Sequence, residues 1–332
     1  MAASRDHQAL ALLCAACLAG AASGGRVDVE DMLMMDRFRS WQAAYNRSYA
    51  TAAERLRRFE VYRQNMELIE ATNRLGLSYK LSETPFTVPT SPATSSSPRT
   101  PCRAGSGSSS SPRAPAPSAR AGAAVTAQDQ GDQCDTCWAF AAVAAIESLH
   151  KIKKGKLVSL SEQELVDCAS EPGSNCSTGG NAKEAMKWVA KHGGLTTESN
   201  YPYNKEEEGS SKLDKMRNHV VKIRAAKSVR RNNEAKLQAA VARQPVAVGI
   251  YVKPEFQNYK SGVIDWPCNL EKVDHAVTVV GYGADHCGRK YWIVKNSWGE
   301  DWGEKGYFRL ERRVKNKRGT CCIATDPSFP VM

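Results

Sequence analysis

Gln130-Gly-Asp-Gln-Cys134-Asp-Thr-Cys137-Trp138-Ala-Phe140 leads directly into Ala141-Ala-Val-Ala-Ala-Ile-Glu-Ser-Leu-His150. The second run is rich in strong helix formers and nearly free of titratable side chains, so it reads as a helix made for burial. A cysteine at the start of that helix meets unsatisfied backbone N–H groups and the positive end of the macrodipole. Such surroundings favour thiolate over thiol, and the thiolate is the nucleophile. Cys134-x-x-Cys137 also admits a redox pair or half of a zinc site. A redox motif would follow a βαβ unit, yet Ser, Pro, Ala and Arg dominate the preceding residues. A zinc site would need a second Cys-x-x-Cys or a His-x-x-x-His, and neither follows.

A cysteine nucleophile needs a base. One of the six histidines stands in Val273-Asp274-His275-Ala276-Val277-Thr-Val-Val-Gly281-Tyr-Gly283. Alternating apolar residues ending in Gly-Tyr-Gly read as a buried strand that presents His275 at one end. Taken alone, a histidine in such a strand is more often a core residue than a base. Shortly afterwards comes Tyr291-Trp-Ile-Val-Lys295-Asn296-Ser297-Trp298-Gly299. Cys, His and Asn in that order and in these contexts resemble the papain family of cysteine proteases.

The amino-terminal third carries a second, independent likeness. Phe38, Trp41 and Tyr45 fall on one helix face. Glu54, Arg58, Tyr62, Asn65, Ile69 and Asn73 recur three or four residues apart, in register with Phe59. By periodicity this is an amphipathic helix in a bundle; the spacing is also similar to the Glu-Arg-Phe-Asn-Ile-Asn pattern of the family's inhibitory propeptides. Residues 27–88 are therefore expected to form a helical propeptide domain. Beyond Lys80 the likeness thins, and Ser82 to Val88 matches the next family pattern only at Phe86. From 89 to 124 the composition turns to Ser, Pro, Arg, Ala and Gly around Cys102, a stretch too poor in apolar residues to fold alone. It reads as a reading-frame or splicing irregularity where the family has its cleavage site.

Residues 1–24 look like a secretory signal, with Arg5 in a weak basic region and an apolar run from Ala9 to Leu18. That run is too short to span a bilayer, so no membrane anchor is expected. Passage through the secretory pathway to the extracellular space or a lysosome or vacuole would permit disulfides. The net charge of +11 comes without a basic, aromatic-interleaved patch, which argues against nucleic-acid binding.

The resemblance implies an α+β, two-lobed peptidase at 125–332, of plant type and made as a zymogen. Its first lobe, about 125–230, would be helical; its second, about 231–332, an antiparallel β-barrel-like lobe with strands near Val246, His275 and Tyr291. Cys137 would be the nucleophile, His275 the base and Asn296 its orienting partner. Trp298 would cover that pair, and Gln130 would supply an oxyanion donor although it lies seven residues before Cys137, not six. Gly179, Gly180, Gly249, Ala276 and Asp326 would line the substrate cleft. Cys134 would pair with Cys176 and Cys268 with Cys321, leaving Cys168, Cys287 and Cys322 without counterparts. No cofactor or metal is implied. The expected partners are peptide and protein substrates, the chain's own propeptide and cystatin-type inhibitors, around a monomer. The alternative is a catalytically impaired homologue that binds peptides or regulators, or a non-functional product, since Asp135 replaces a family glycine beside the nucleophile.

Overall fold

The computed structural model describes residues 29–88, 129–131, 135–169, 179–204, 213–216, 218–269 and 273–332. The signal at 1–24, the interval 89–124, Cys134 and Cys176 lie outside the described residues. Two compact units divide the chain after Leu68.

In the first unit, helix α1 (29–44) and the start of α2 (Ala52–Arg74) enclose an aromatic cluster. Phe38 packs against Trp41, Phe59 and Tyr62 with ring centroids 5.9, 5.6 and 5.2 Å away. Glu54 accepts from Arg58 Nε at 2.6 Å, an i,i+4 pair on the helix flank. The helical expectation stops short at its carboxyl end, because Tyr79–Leu81 is a strand, β1.

In the second unit, Asn73 at the end of α2 fixes that strand: its Nδ2 donates to Leu81 O, and its Oδ1 accepts the Leu81 N–H. The strand β1 pairs with β4 (Tyr259–Ile264), and Thr84 and Thr87 hydrogen-bond Gln257 O and Asn258 Oδ1. Phe86 then packs on Trp298 with centroids 5.1 Å apart.

Helix α3 (Cys137–Lys154) is buried without interruption from Trp138 to Leu149 and ends at Gly155, whose φ of 74° suits a residue without a Cβ. Around it pack α5 (Ala182–His192), through buried Ala182, Ala185, Met186 and Val189, and the strands β3 (Val246–Tyr251), β5 (Val273–Ala284) and β8 (Ser328–Val331). Between them, Ser161 Oγ accepts the Glu164 N–H and so caps the short α4 (Gln163–Cys168). Only the Ser161 half of a capping box is made. Glu164 turns instead to the Thr196 N–H and to His219. A single turn, α6 (Leu213–Met216), follows.

The remaining strands are β2 (Ala225–Ser228), β3 (Val246–Tyr251), β5 (Val273–Ala284), β6 (Lys290–Lys295), β7 (Tyr307–Glu311) and β8 (Ser328–Val331), with α7 (Glu234–Val241) before β3. Their order is β1-β4-β7-β6-β5-β3-β8-β2. Pairing is antiparallel except between β4 and β7, which run parallel. Strand β8 pairs with both β2 and β3, so the chain's end is stitched back to the strand that precedes α7.

One expected disulfide is displaced. Cys268 bonds Cys322, with a Cα–Cα distance of 4.5 Å, not Cys321. Both cysteines of the 320–322 turn adopt positive φ. Cys321 spends its N–H on Trp266 O, and its thiol is buried against the same carbonyl. The backbone twist therefore aims Cys322, the residue without a family counterpart, at Cys268. Counting thiols in unfolded, unreduced protein checks this. Cys321→Ala should show one free thiol fewer than wild type, and Cys322→Ala should show one more; the reverse pattern would return the bond to Cys321.

Candidate active site

Cys137 opens α3, and Thr136 before it gives no side-chain cap; its hydroxyl shares a 2.8 Å hydrogen bond with Tyr203 instead. The Cys137 sulfur accepts the Ala276 N–H at 3.4 Å. His275 is the third residue of β5, where the strand turns its buried face toward the helix start. Its Nε2 meets Asn296 Oδ1 at 2.8 Å, and Oδ1 also accepts the Ser297 N–H at 2.9 Å. An oxygen accepting from Nε2 fixes the proton there and leaves Nδ1 as the basic nitrogen. The Trp298 ring lies 5.0 Å from the imidazole, tilted 34°, and Phe256 approaches it at 6.2 Å. The pair is thus screened from water by aromatic carbon.

Gln130 reaches this place through a short antiparallel bridge between Asp129 and Trp298. Its N–H donates to Ser297 O at 2.9 Å, and Ser297 Oγ donates to Gln130 Oε1 at 2.5 Å. With its oxygen held by Ser297, the side chain is oriented by the residue that follows Asn296. The extra residue noted between Gln130 and Cys137 falls at 132–134, outside the described residues.

These groups line one cleft of about 700 Å³, bounded also by Gly179, Gly180, Gly249, Ala276, Trp298 and Asp326. Every cleft residue expected from the sequence is on its wall; Asn296 stands behind it, 3% exposed. Gly180 is required by space, since a Cβ there would stand 2.6 Å from the Trp138 ring. Val248, Val273 and Asp274, which the sequence motifs do not mark, also line the cleft. Their signal was present in the strand pattern, because they flank Gly249 and His275 on the paired strands β3 and β5. Asp326 lies 3.9 Å from Arg231 Nε while facing the cleft.

The electrostatics depart from the thiolate expected at a helix start. Burial pushes the Cys137 thiol up to about 11; the Asp135 and Asp274 carboxylates add to the rise, and the Ala276 and Trp138 N–H groups oppose it. Burial likewise pulls His275 down to about 4, partly offset by the Asn296 hydrogen bond. Desolvation disfavours both charged forms, so in this state the pair is neutral thiol and neutral imidazole. Next to Asn296, Lys295 is buried and drawn down to about 8, with the Glu147 and Glu162 carboxylates resisting the fall.

Among known protein families, residues 116–331 match the model described as papain family cysteine protease, and residues 38–91 match the cathepsin propeptide inhibitor domain. The chain belongs to the papain family of cysteine proteases. It carries the peptidase together with its propeptide and is the precursor of a thiol protease. The senescence-specific cysteine protease SAG39 of Oryza sativa subsp. indica is 40% identical over 334 residues, 96% of this chain and 97% of the relative. Fruit bromelain of Ananas comosus is 37% identical over 310 residues, covering 90% and 87%. The solved recombinant stem bromelain precursor superposes with a TM-score of 0.77 at 36% identity, over 90% of this chain and 99% of its own. Among the described residues no helix is long and apolar enough to cross a membrane.

The neutral His275 makes a pH prediction. Its pKa is lower folded, about 4, than unfolded, about 6.5, so the unfolded chain binds the extra proton between those values. The stability it contributes is complete above pH 6.5 and is lost as pH falls toward 4, by up to roughly 3 kcal/mol. Thermal unfolding of Cys137→Ser and Cys137→Ser/His275→Gln should be compared from pH 7 to 4.5. The double variant should lose stability less steeply; parallel curves would show that His275 is not held neutral.

Proposed function

We propose that the processed protein is an endopeptidase working through Cys137, His275 and Asn296, with Gln130 as an oxyanion donor. The observation that carries this reading is one cleft lined by the Cys137 sulfur and by an imidazole whose Nε2 is held by Asn296. The basic Nδ1 accepts the thiol proton, and the sulfur attacks the peptide carbonyl. The oxyanion that forms is met by the Cys137 N–H and the Gln130 side-chain amide. The imidazolium then protonates the departing amine, leaving an acyl-enzyme that water hydrolyses with His275 as base. The neutral pair must become an ion pair for this. The burial that opposes charge is relieved when water or a substrate dipole reaches the sulfur.

Several further assignments complete the proposal. Residues 27–88 are the propeptide and 125–332 the peptidase, which enters the secretory pathway and meets cystatin-type inhibitors there. Asp326 faces the pocket for the residue preceding the cleaved one, P2, where its carboxylate would accept Arg or Lys beside an apolar wall.

Treating acid-processed protein with a peptidyl epoxide should label Cys137, and labelling elsewhere or nowhere counts against the reading. Cys137→Ser and His275→Ala should each lower kcat by at least ~1000-fold, because the residues act as one unit. Asn296→Ala should cost less, since it orients and does not transfer a proton. Normal turnover in either of the first two would remove the assignment.

For Asp326, cleavage of matched peptides with Arg or Leu at P2 is informative. Asp326→Ala should lower the Arg-to-Leu ratio about threefold to tenfold, the range of a partly screened charge pair. An unchanged ratio would return Asp326 to a purely structural pairing with Arg231.

A further inference from the structure

A third carboxylate in the cleft is not accounted for by any of the roles above. Asp135 lies two residues before Cys137, is exposed, and lines the cleft beside Gly179; a Cβ on Gly179 would stand 3.9 Å from the Asp135 Cβ. The family has glycine there, so this wall carries a charge that a glycine could not. Asp135, Asp274 and Asp326 face the cleft together, and Lys183 is the single Lys or Arg among its described lining residues. The cleft is therefore acidic in a chain whose net charge is +11. Asp326 has Arg231 nearby at 3.9 Å, but no described Lys or Arg forms an ion pair with Asp135.

We infer that Asp135 is a specificity residue that selects a lysine or arginine side chain on the substrate residue whose carbonyl Cys137 attacks, P1. Two residues of backbone span at most about 7 Å, so the carboxylate stands within reach of a long side chain on a residue seated at the nucleophile. A Lys or Arg there meets a carboxylate that no described Lys or Arg pairs with, in a cleft whose walls limit screening. The cation does more than bind. Asp135 and Asp274 both act on the Cys137 sulfur in the direction that opposes thiolate. A positive charge delivered by the substrate offsets that field where the thiolate must form. A P1 glutamate would place a third carboxylate against the first two and be rejected.

This inference rests on the reading of Cys137 as nucleophile, and its test separates the two. Mature wild type, Asp135→Asn and Asp135→Gly are compared on peptides that differ only in Lys, Gln or Glu at P1. Wild type should cleave in the order Lys, Gln, Glu, and both variants should lower the Lys-to-Glu ratio of kcat/KM about threefold to tenfold. In parallel, Cys137 is modified with two small methanethiosulfonates, one bearing trimethylammonium and one bearing sulfonate. The cationic reagent should react faster with wild type, with the advantage shrinking in Asp135→Asn and at high salt. If peptides are not cleaved but the reagent preference depends on Asp135, charge selection stands and the peptidase reading fails. If neither ratio changes on substitution, Asp135 does not select charge and the inference is overturned.

Discussion

Complete burial of one apolar helix is the constraint on which the cleft depends. Helix α3 can be surrounded on all sides because its run from Trp138 to Leu149 exposes almost nothing that needs water. The strands β3, β5 and β8 and helix α5 close around it, and Thr278 on β5 donates to the Ala141 carbonyl within it. This packing places the first residue of the helix, Cys137, against the Ala276 N–H, the residue next to His275. A close-packed interior transmits position well, so Cys137 and His275, 138 residues apart in sequence, are held by shared walls rather than by each other.

Desolvation is the second strong effect, and it opposes the first residue's chemistry. A helix N-terminus and two nearby N–H groups favour thiolate, but they act on a half-buried sulfur at the cleft wall, where desolvation outweighs them. Desolvation likewise keeps His275 neutral despite Asn296. Both groups are uncharged in this state, and the hydrogen bond from Nε2 to Asn296 fixes the imidazole tautomer. Phe86, on the segment that precedes the peptidase, packs on the same Trp298 that covers the imidazole, so the aromatic screen is shared between that segment and the site.

The backbone also reassigns chemistry at the carboxyl end. Two adjacent cysteines share a turn in which both have positive φ, and the turn decides which one reaches Cys268. The other thiol is sealed beneath Trp266, where burial pushes it well above its ordinary range. A few residues later the chain delivers Asp326 to the cleft wall and then joins β8 to β3, so a local twist, a bridge and a pocket residue lie within one short segment.

Much of this was legible from the chain alone. The buried helix, the strand ending in Gly-Tyr-Gly and the order Cys, His, Asn follow from local composition and period, and every expected cleft residue reached the cleft. These features are carried by contiguous residues whose side-chain pattern dictates helix or strand before any packing occurs. What only the tertiary structure decided depends on several elements at once. The neutral state of Cys137 and His275 is set by how completely other segments exclude water, which no local pattern encodes. The partner of Cys268 is set by a left-handed turn that two L-cysteines enter only because the surrounding chain holds them there. Lys80 ends up in a strand because β4 offers it a partner edge, although its own stretch reads as a helix. Asp135 becomes significant only when Gly179, 44 positions away, is found beside it. A charge has meaning at a site through what stands near it, and folding alone determines that.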